Sequence, residues 1–120
     1  MRLLALRGAT TCDDDSKAEI DDRTQELVRE MLARNSISHD DLVSIIFTAT
    51  KDLTAEFPAT AARALGLGDV PLICARELDI AHGMKRTIRV LMHFYGEQVR
   101  ADLHHVYLGE ARQLRDDLPE

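Results

Sequence analysis

At a period of two, residues 2–10 place Leu4 and Leu6 on one face of an extended chain, while Leu3, Ala5 and Arg7 fall on the other. A period of two is typical of a β-strand whose two faces meet different surroundings. The pattern therefore predicts a first strand that carries a guanidinium among apolar neighbours. A charge in such a position needs an anionic partner.

A helical period follows the first strand. From 17 to about 34, apolar residues recur every three or four positions and charged residues occupy the opposite side. Ser16 and Glu19 have the spacing of a capping box, and the acidic run 13–15 would lie at the positive end of the helix dipole. We predict one long helix over 17–34 and interpret the acidic run as part of its N-terminal cap.

The remainder of the chain consists of short apolar runs separated by turn signals. A buried-type run predicts a second strand at 43–49, and Pro58 suits the first turn of a short helix that Gly66 ends. The short helix is predicted at 59–65, and further strands at 70–77, 86–95 and 105–114. The order βαβαβββ predicts an α+β fold with a mixed β-sheet, one long helix and one short helix.

Composition and charge narrow the possible partners. The chain has 120 residues, 45% hydrophobic and 30% charged, as expected for one globular domain spanning 1–120. Its formal net charge of −6 lacks the basic field that draws proteins to nucleic acids and acidic membranes. No apolar run has the length of a membrane span, and Arg7 interrupts the N-terminal run before it could form a signal peptide. We therefore expect a cytoplasmic protein without nucleic-acid or membrane partners.

Cysteine and histidine spacing predicts neither a disulfide framework nor a metal site. Cys12 and Cys74 lie far apart with no CxxC pair, and the five histidines are scattered, with neighbouring His104 and His105 expected on opposite faces of a strand. We expect two free thiols and no metal. Phosphate-binding loops and nucleophile motifs are also missing from the sequence.

The unusual chemistry lies in arginines at strand positions with apolar flanks, namely Arg7, Arg89 and Arg115, and in Glu77 at the end of a short apolar run. A guanidinium held in a strand presents a rigid fork that suits carboxylates. Its partner could be an acid of the protein or a small anionic ligand, and the spacing leaves both open. The interrupted strand faces also favour an oligomer.

Five ordered sequence blocks resemble the AroH-class monofunctional chorismate mutases. They are RGATT at 7–11, ATKDLTAEFPATAAR at 49–63, CARELDIAHGMKRTIRV at 74–90, HVYL at 105–108 and LRDDL at 114–118. The resemblance covers essentially the whole chain with little room for insertions. It implies a homotrimeric pseudo α/β-barrel with active sites between subunits, which converts chorismate to prephenate without a cofactor on the route to phenylalanine and tyrosine.

The resemblance also implies which residues form the site. The polar residues match Arg7, Glu77, Arg89 and Tyr107, the pocket-lining positions match Phe57, Ala59, Arg63, Cys74 and Leu114, and the arginine of a mobile tail matches Arg115. Thr60 departs from the pattern, because some members carry lysine there. Cys74 and Glu77 would face opposite sides of a regular strand, so either the strand ends between them or Cys74 contributes its main chain.

A rearrangement of this kind is intramolecular, so the missing nucleophile and proton-transfer groups agree with it. Two other functions remain as alternatives: a small-carboxylate-binding regulatory domain on a similar trimeric scaffold, and a small trimeric imine hydrolase that uses an arginine at a subunit interface. Glu77 opposite Arg89 favours the mutase, because holding an anion does not require a carboxylate beside it.

Overall fold

The computed structural model describes residues 1–115, without the side chain of Arg115. Five strands and two α-helices form the fold: β1 (Arg2–Thr11), α1 (Lys17–Arg34), β2 (Leu42–Ala49), α2 (Pro58–Ala62), β3 (Leu72–Arg76), β4 (Thr87–Gly96) and β5 (Val106–Tyr107). Short 3₁₀ segments lie at His39–Asp41, Arg100–Asp102 and Gly109–Arg115, and a wider helical turn at Arg63–Leu67 extends α2. No helix among these residues is long and apolar enough to cross a membrane.

The strands form one mixed sheet in the order β3-β2-β4-β1-β5. The central pair β1 and β4 is antiparallel over ten residue pairs, from Arg2 opposite Gly96 to Thr11 opposite Thr87. β2 is also antiparallel to β4, whereas β3 is parallel to β2 and β5 is parallel to β1. The predicted α+β fold with a mixed sheet, one long helix and one short helix is confirmed.

The core lies between one face of the sheet and the two helices. Leu6, Phe47 and Met92 are fully buried on that face, and they belong to one apolar cluster with Leu27 of α1 and Ala62 of α2. Each such side chain contributes roughly 1.5–3 kcal/mol when it leaves water. Among residues 1–115, α1 and α2 both pack on this core side, and the alternate residues of the opposite, open face include the exposed Leu3, Ile73 and Tyr95.

β1 approaches α1 so closely that a side chain does not fit at Gly8. A Cβ added there would lie 2.5 Å from the Sδ atom of Met31 and 3.1 Å from a methyl carbon of Leu27. Both helix residues are fully buried, so neither has free space into which it could move. The glycine therefore sets the spacing between the first strand and the long helix.

The ends of α1 are closed by side chains. At the start, the N–H of Glu19 donates to Ser16 Oγ over 3.2 Å, as the capping pattern predicts. The Glu19 carboxylate accepts from the N–H of Asp13 over 3.1 Å, so the cap extends into the acidic run. At the far end, buried Asn35 accepts from the N–H of His104 over 2.7 Å and thereby fixes the segment that leads into β5.

The prediction of a fifth strand over 105–114 is wrong beyond its first residues. β5 contains only Val106 and Tyr107, and the chain then enters the 3₁₀ segment Gly109–Arg115. Gly109 has φ of +59°, which turns the chain away from the sheet. The N–H of Glu110 then donates to Thr11 Oγ1 over 3.1 Å. The alternation in sequence was too short to distinguish a two-residue bridge from a full strand.

Two other elements are shorter than predicted. β3 starts at Leu72 and ends at Arg76, inside the predicted 70–77, and α2 ends at Ala62 before the wider turn takes over. Gly66 with φ of +90° breaks the helical path at the residue that was predicted to end the helix.

Candidate active site

Four predicted polar residues project from the open face of the sheet, opposite the face that packs on α1 and α2. Arg89 on β4 lies opposite Thr48 of β2 and Ala9 of β1, and Ala9 in turn pairs with Tyr107 of β5. Directly paired residues point to the same side of a sheet, and so do residues two apart along a strand. Arg7 is therefore on the same face as Arg89 and Tyr107.

Glu77 reaches this face from the end of β3. Its N–H donates to the carbonyl of Ala49 over 2.9 Å, which continues the pairing of β3 with β2 by one step. Its carboxylate atom Oε2 accepts from Thr48 Oγ1 over 2.7 Å and lies 3.3 Å from Arg89 Nε. The structure thus brings the predicted carboxylate and guanidinium into direct contact, with the side chain of Glu77 24% exposed and that of Arg89 48% exposed.

A cavity of about 780 Å³ opens beside this pair. It lies among the end of β2, the loop after β3 and the start of β4, and its wall includes Glu77, Arg89, Lys51 and Asp79. Lys51 Nζ and Asp79 Oδ2 are 2.9 Å apart at the rim. The volume lies in the range of sites for small ligands, and the wall combines apolar residues with charges of both signs.

A second cleft, of about 440 Å³, holds other predicted residues on the helix side of the sheet. Phe57 and Cys74 line it together with Pro58. Phe57 is 67% exposed, although phenylalanine is usually buried. Ala59 is 4% exposed, and its N–H donates to Cys74 Sγ over 3.4 Å. This cleft and the larger cavity thus lie on opposite sides of the sheet.

Arg63, Thr60 and Leu114 line neither of the two cavities. Arg63 is exposed at the start of the wider turn after α2, and Thr60 is half-buried on α2 itself. Leu114 is half-buried in the last 3₁₀ segment. The side chain of Arg115 and the tail 116–120 lie outside the described residues.

The comparisons with known proteins agree on one family. The family chorismate mutase type I matches residues 3–118. The chorismate mutase AroH of Thermus thermophilus is 44% identical over 114 residues, which cover 94% of this chain and 93% of that protein. The chorismate mutase AroH of Bacillus subtilis (strain 168) is 38% identical over 119 residues, which cover 98% and 94%. The chain belongs to the type I chorismate mutase family.

A solved structure extends the match to three dimensions. A chorismate mutase from Clostridium thermocellum superposes with a TM-score of 0.90 at 44% identity, over 92% of this chain and 98% of that chain. The family predicted from the five sequence blocks is confirmed. The prediction that the protein is a chorismate mutase, an isomerase, is confirmed as well, and the alternative of a carboxylate-binding regulatory domain is not favoured.

Cys74 turns its side chain away from Glu77. It pairs with the fully buried Phe47, which places its thiol on the helix side of the sheet, and β3 ends one residue before Glu77. Both explanations of the spacing between the two residues are therefore compatible with the geometry. The thiol is free, and it accepts a hydrogen bond from Ala59.

Replacement of Cys74 by serine should be mild. Serine keeps an acceptor for the N–H of Ala59, so we expect Cys74→Ser to change kcat for chorismate by no more than about threefold. Steady-state turnover of the purified variant measures this effect. A loss of kcat of a hundredfold or more would mean that the thiol itself acts on the substrate.

Sequence reasoning missed two features of the site. Thr48 donates the shortest contact to Glu77, and its signal was only its place in the alternation of β2. The rim pair Lys51 and Asp79 joins two loops that follow adjacent strands, and loops give no periodic signal. Both features depend on the order of strands in the sheet, which the sequence pattern did not specify.

Proposed function

We propose that the protein rearranges chorismate to prephenate at the Glu77 and Arg89 pair, with Arg7 and Tyr107 holding the substrate. The observation that carries this proposal is the 3.3 Å contact between Arg89 Nε and Glu77 Oε2 at the wall of the larger cavity. A cation and an anion fixed side by side suit a transition state in which opposite charges separate within one molecule.

Arg89 is the proposed donor to the ether oxygen of chorismate. In this rearrangement the C–O bond breaks ahead of C–C bond formation, so negative charge develops on that oxygen. Glu77 contacts the Nε atom of Arg89, and the two terminal nitrogens of the guanidinium are the ones we assign to the substrate. A donor aimed at developing charge binds the transition state more strongly than the substrate, which raises kcat.

Glu77 is the proposed partner of the ring. Its carboxylate would accept a hydrogen bond from the ring hydroxyl and lie beside the positive charge that develops there. The hydrogen bond from Thr48 Oγ1 and the contact with Arg89 fix the carboxylate before the substrate arrives. Such preorganisation avoids rearranging the site during the reaction.

Arg7 and Tyr107 are the proposed holders of the enolpyruvyl carboxylate. They lie on β1 and β5, and Tyr107 is two strand spacings from Arg89, or roughly 10 Å across the sheet. Binding the carboxylate at that distance would favour the compact conformer of chorismate in which the reacting carbons are close. Arg63 and Arg115 are proposed to contact the ring carboxylate of chorismate at the mouth of the substrate-binding cleft, with Leu114 beside them.

We further propose that the site is shared between neighbouring subunits of a homotrimer. The open sheet face presents exposed Leu3, Ile73 and Tyr95, whose burial against a second copy would be favourable. Phe57 and Arg63 belong to the helix side of the sheet, opposite the face that carries Arg89. Two subunits can bring these two sides together in one cleft, as the resemblance implies.

Subunit mixing tests the shared site. Trimers made only of Arg89→Lys subunits, or only of Arg63→Ala subunits, should be defective. If Arg89 and Arg63 of one site come from different subunits, a random mixture contains sites in which both residues are intact. Each such site needs two particular neighbours, so the mixture should regain roughly a quarter of wild-type turnover. Refolding the two variants together and measuring chorismate consumption gives the result. Activity equal to the mean of the separate variants would contradict the shared site.

The product identifies the reaction. We expect prephenate, detected by its acid conversion to phenylpyruvate, which places the protein on the route to phenylalanine and tyrosine. A cytoplasmic location is part of the proposal, and both cysteines being free thiols fits a reducing compartment.

A further inference from the structure

The acidic run before α1 contains a residue whose carboxylate is bound to a distant loop. Asp15 Oδ1 accepts from the N–H of Thr54 over 2.8 Å and from the N–H of Ala55 over 3.0 Å. Its second oxygen, Oδ2, accepts from Thr54 Oγ1 over 2.7 Å. Asp15 thus has a contact that the interpretation of the run as a helix cap did not include, because it binds a loop 39 residues further along the chain.

Contacts fix each residue of the 53–56 segment, which precedes Phe57 in the loop that Asp15 binds. Leu53 is 4% exposed and packs in a small buried cluster with residues of α1 and β4. Lys17 Nζ lies 3.8 Å from the Oε2 atom of Glu56. The other oxygen of Glu56 accepts from the N–H of Phe57 over 2.8 Å. The loop has no strand or helix of its own, so these contacts determine its shape.

The loop ends in Phe57, which is 67% exposed, and α2 begins at the next residue. An exposed apolar ring contributes no burial free energy to its own chain. If the loop were mobile, it would have to be ordered when a ligand bound. Fixing the loop in advance removes that entropic cost from binding. Rigid support of the exposed Phe57 is therefore useful only if the ring contacts a ligand.

We propose that Asp15 is a positioning residue for the mutase reaction, which holds the 53–57 loop so that the ring of Phe57 is presented to the substrate. The inference rests on the proposed function, because it needs chorismate as the ligand that Phe57 contacts. Asp15 itself does not touch the substrate. Its effect should appear in substrate affinity, because a ring that packs against both the ground state and the transition state contributes uniform binding.

Asp15 acts as a fixed anchor and not as a pH switch. The hydrogen bond from the Thr54 side chain, followed by that from the Thr54 backbone, lowers the pKa of the Asp15 carboxyl below its ordinary value of 3.8. A lowered folded-state pKa means that the anchoring contribution is complete above that ordinary value and is lost only as the pH falls through the folded-state pKa. The anchor is therefore complete throughout the neutral range.

Four proteins test the proposal: wild type, Asp15→Ala, Phe57→Ala and the double variant. We expect Asp15→Ala to raise KM about tenfold with kcat within about twofold of wild type, which is the pattern of lost uniform binding. In the Phe57→Ala background the same change should leave KM unaltered, because Asp15 acts through the ring. Asp14→Ala, which removes the same charge from an exposed neighbour, should match wild type.

Hydrogen exchange supplies a readout that does not depend on activity. The amides of Thr54 and Ala55 should exchange faster in Asp15→Ala and in Thr54→Val than in wild type, since each variant removes part of the anchor. An unchanged KM in Asp15→Ala, or an equal rise in KM with and without Phe57, would overturn the inference. Failure of the proposed function itself is recognised separately, because wild type would then not consume chorismate.

Discussion

Replacing Arg89 with lysine should lower kcat by about a hundredfold or more, equivalent to about 3 kcal/mol of transition-state stabilisation. Lysine keeps the positive charge but loses the planar fork, which lets one end of arginine contact Glu77 while the other reaches the substrate. A single ammonium cannot make both contacts with the same geometry. The loss should therefore fall on kcat and be far larger than any change in KM.

Arg29→Lys is the matched control for this change. Arg29 is exposed on α1, away from the open face of the sheet, and the substitution is chemically the same. Its kcat should equal that of wild type. If Arg89→Lys also turned over chorismate at the wild-type rate, Arg89 would not be the donor to the ether oxygen.

Glu77→Gln should reduce kcat by about a hundredfold or more, because electrostatic stabilisation of developing charge is worth several kcal/mol. Glutamine has nearly the same shape and can still accept from Thr48 Oγ1. It loses the negative charge that faces Arg89 and, in the proposed mechanism, the positive charge on the ring. A loss of kcat in Glu77→Gln would therefore be due to the lost charge and not to a changed shape, whereas Glu77→Ala changes both.

Asp79→Asn provides the comparison for Glu77→Gln. Asp79 lines the same cavity and pairs with Lys51, but its side chain is 62% exposed at the rim, where a charge contributes little. We expect its kcat to stay within about twofold of wild type. Equal losses in the two variants would indicate that the total charge of the cavity matters, and not the particular place of Glu77.

The elements with long periodic patterns were predicted well. α1 spans the predicted 17–34, because a helical stripe of five turns and an N-terminal cap both indicated it. β1 is one residue longer than predicted and β4 is shifted by one residue at both ends, where pairing and not composition decides the boundary. β5 failed because two alternating residues resemble the start of a longer strand, and the turn at Gly109 depends on tertiary contact with Thr11.

The sequence allowed residues to be proposed for the site, but it did not indicate how they are arranged in space. The resemblance identified Glu77 and Arg89, and the structure places them 3.3 Å apart. The sequence did not indicate that Phe57 and Arg89 would lie on opposite sides of one sheet, because strand order is not a local property. The role of Asp15 was missed because a local explanation, the N-terminal cap of α1, already accounted for an acidic residue at this position.

The most direct measurement is the disappearance of chorismate absorbance with purified protein in buffer that contains a metal chelator and no added cofactor. We expect saturable turnover to prephenate in wild type and its near-complete loss in Glu77→Gln, since charge and shape alone would carry the reaction. Binding of chorismate without turnover, or turnover that needs an added metal or cofactor, would contradict it.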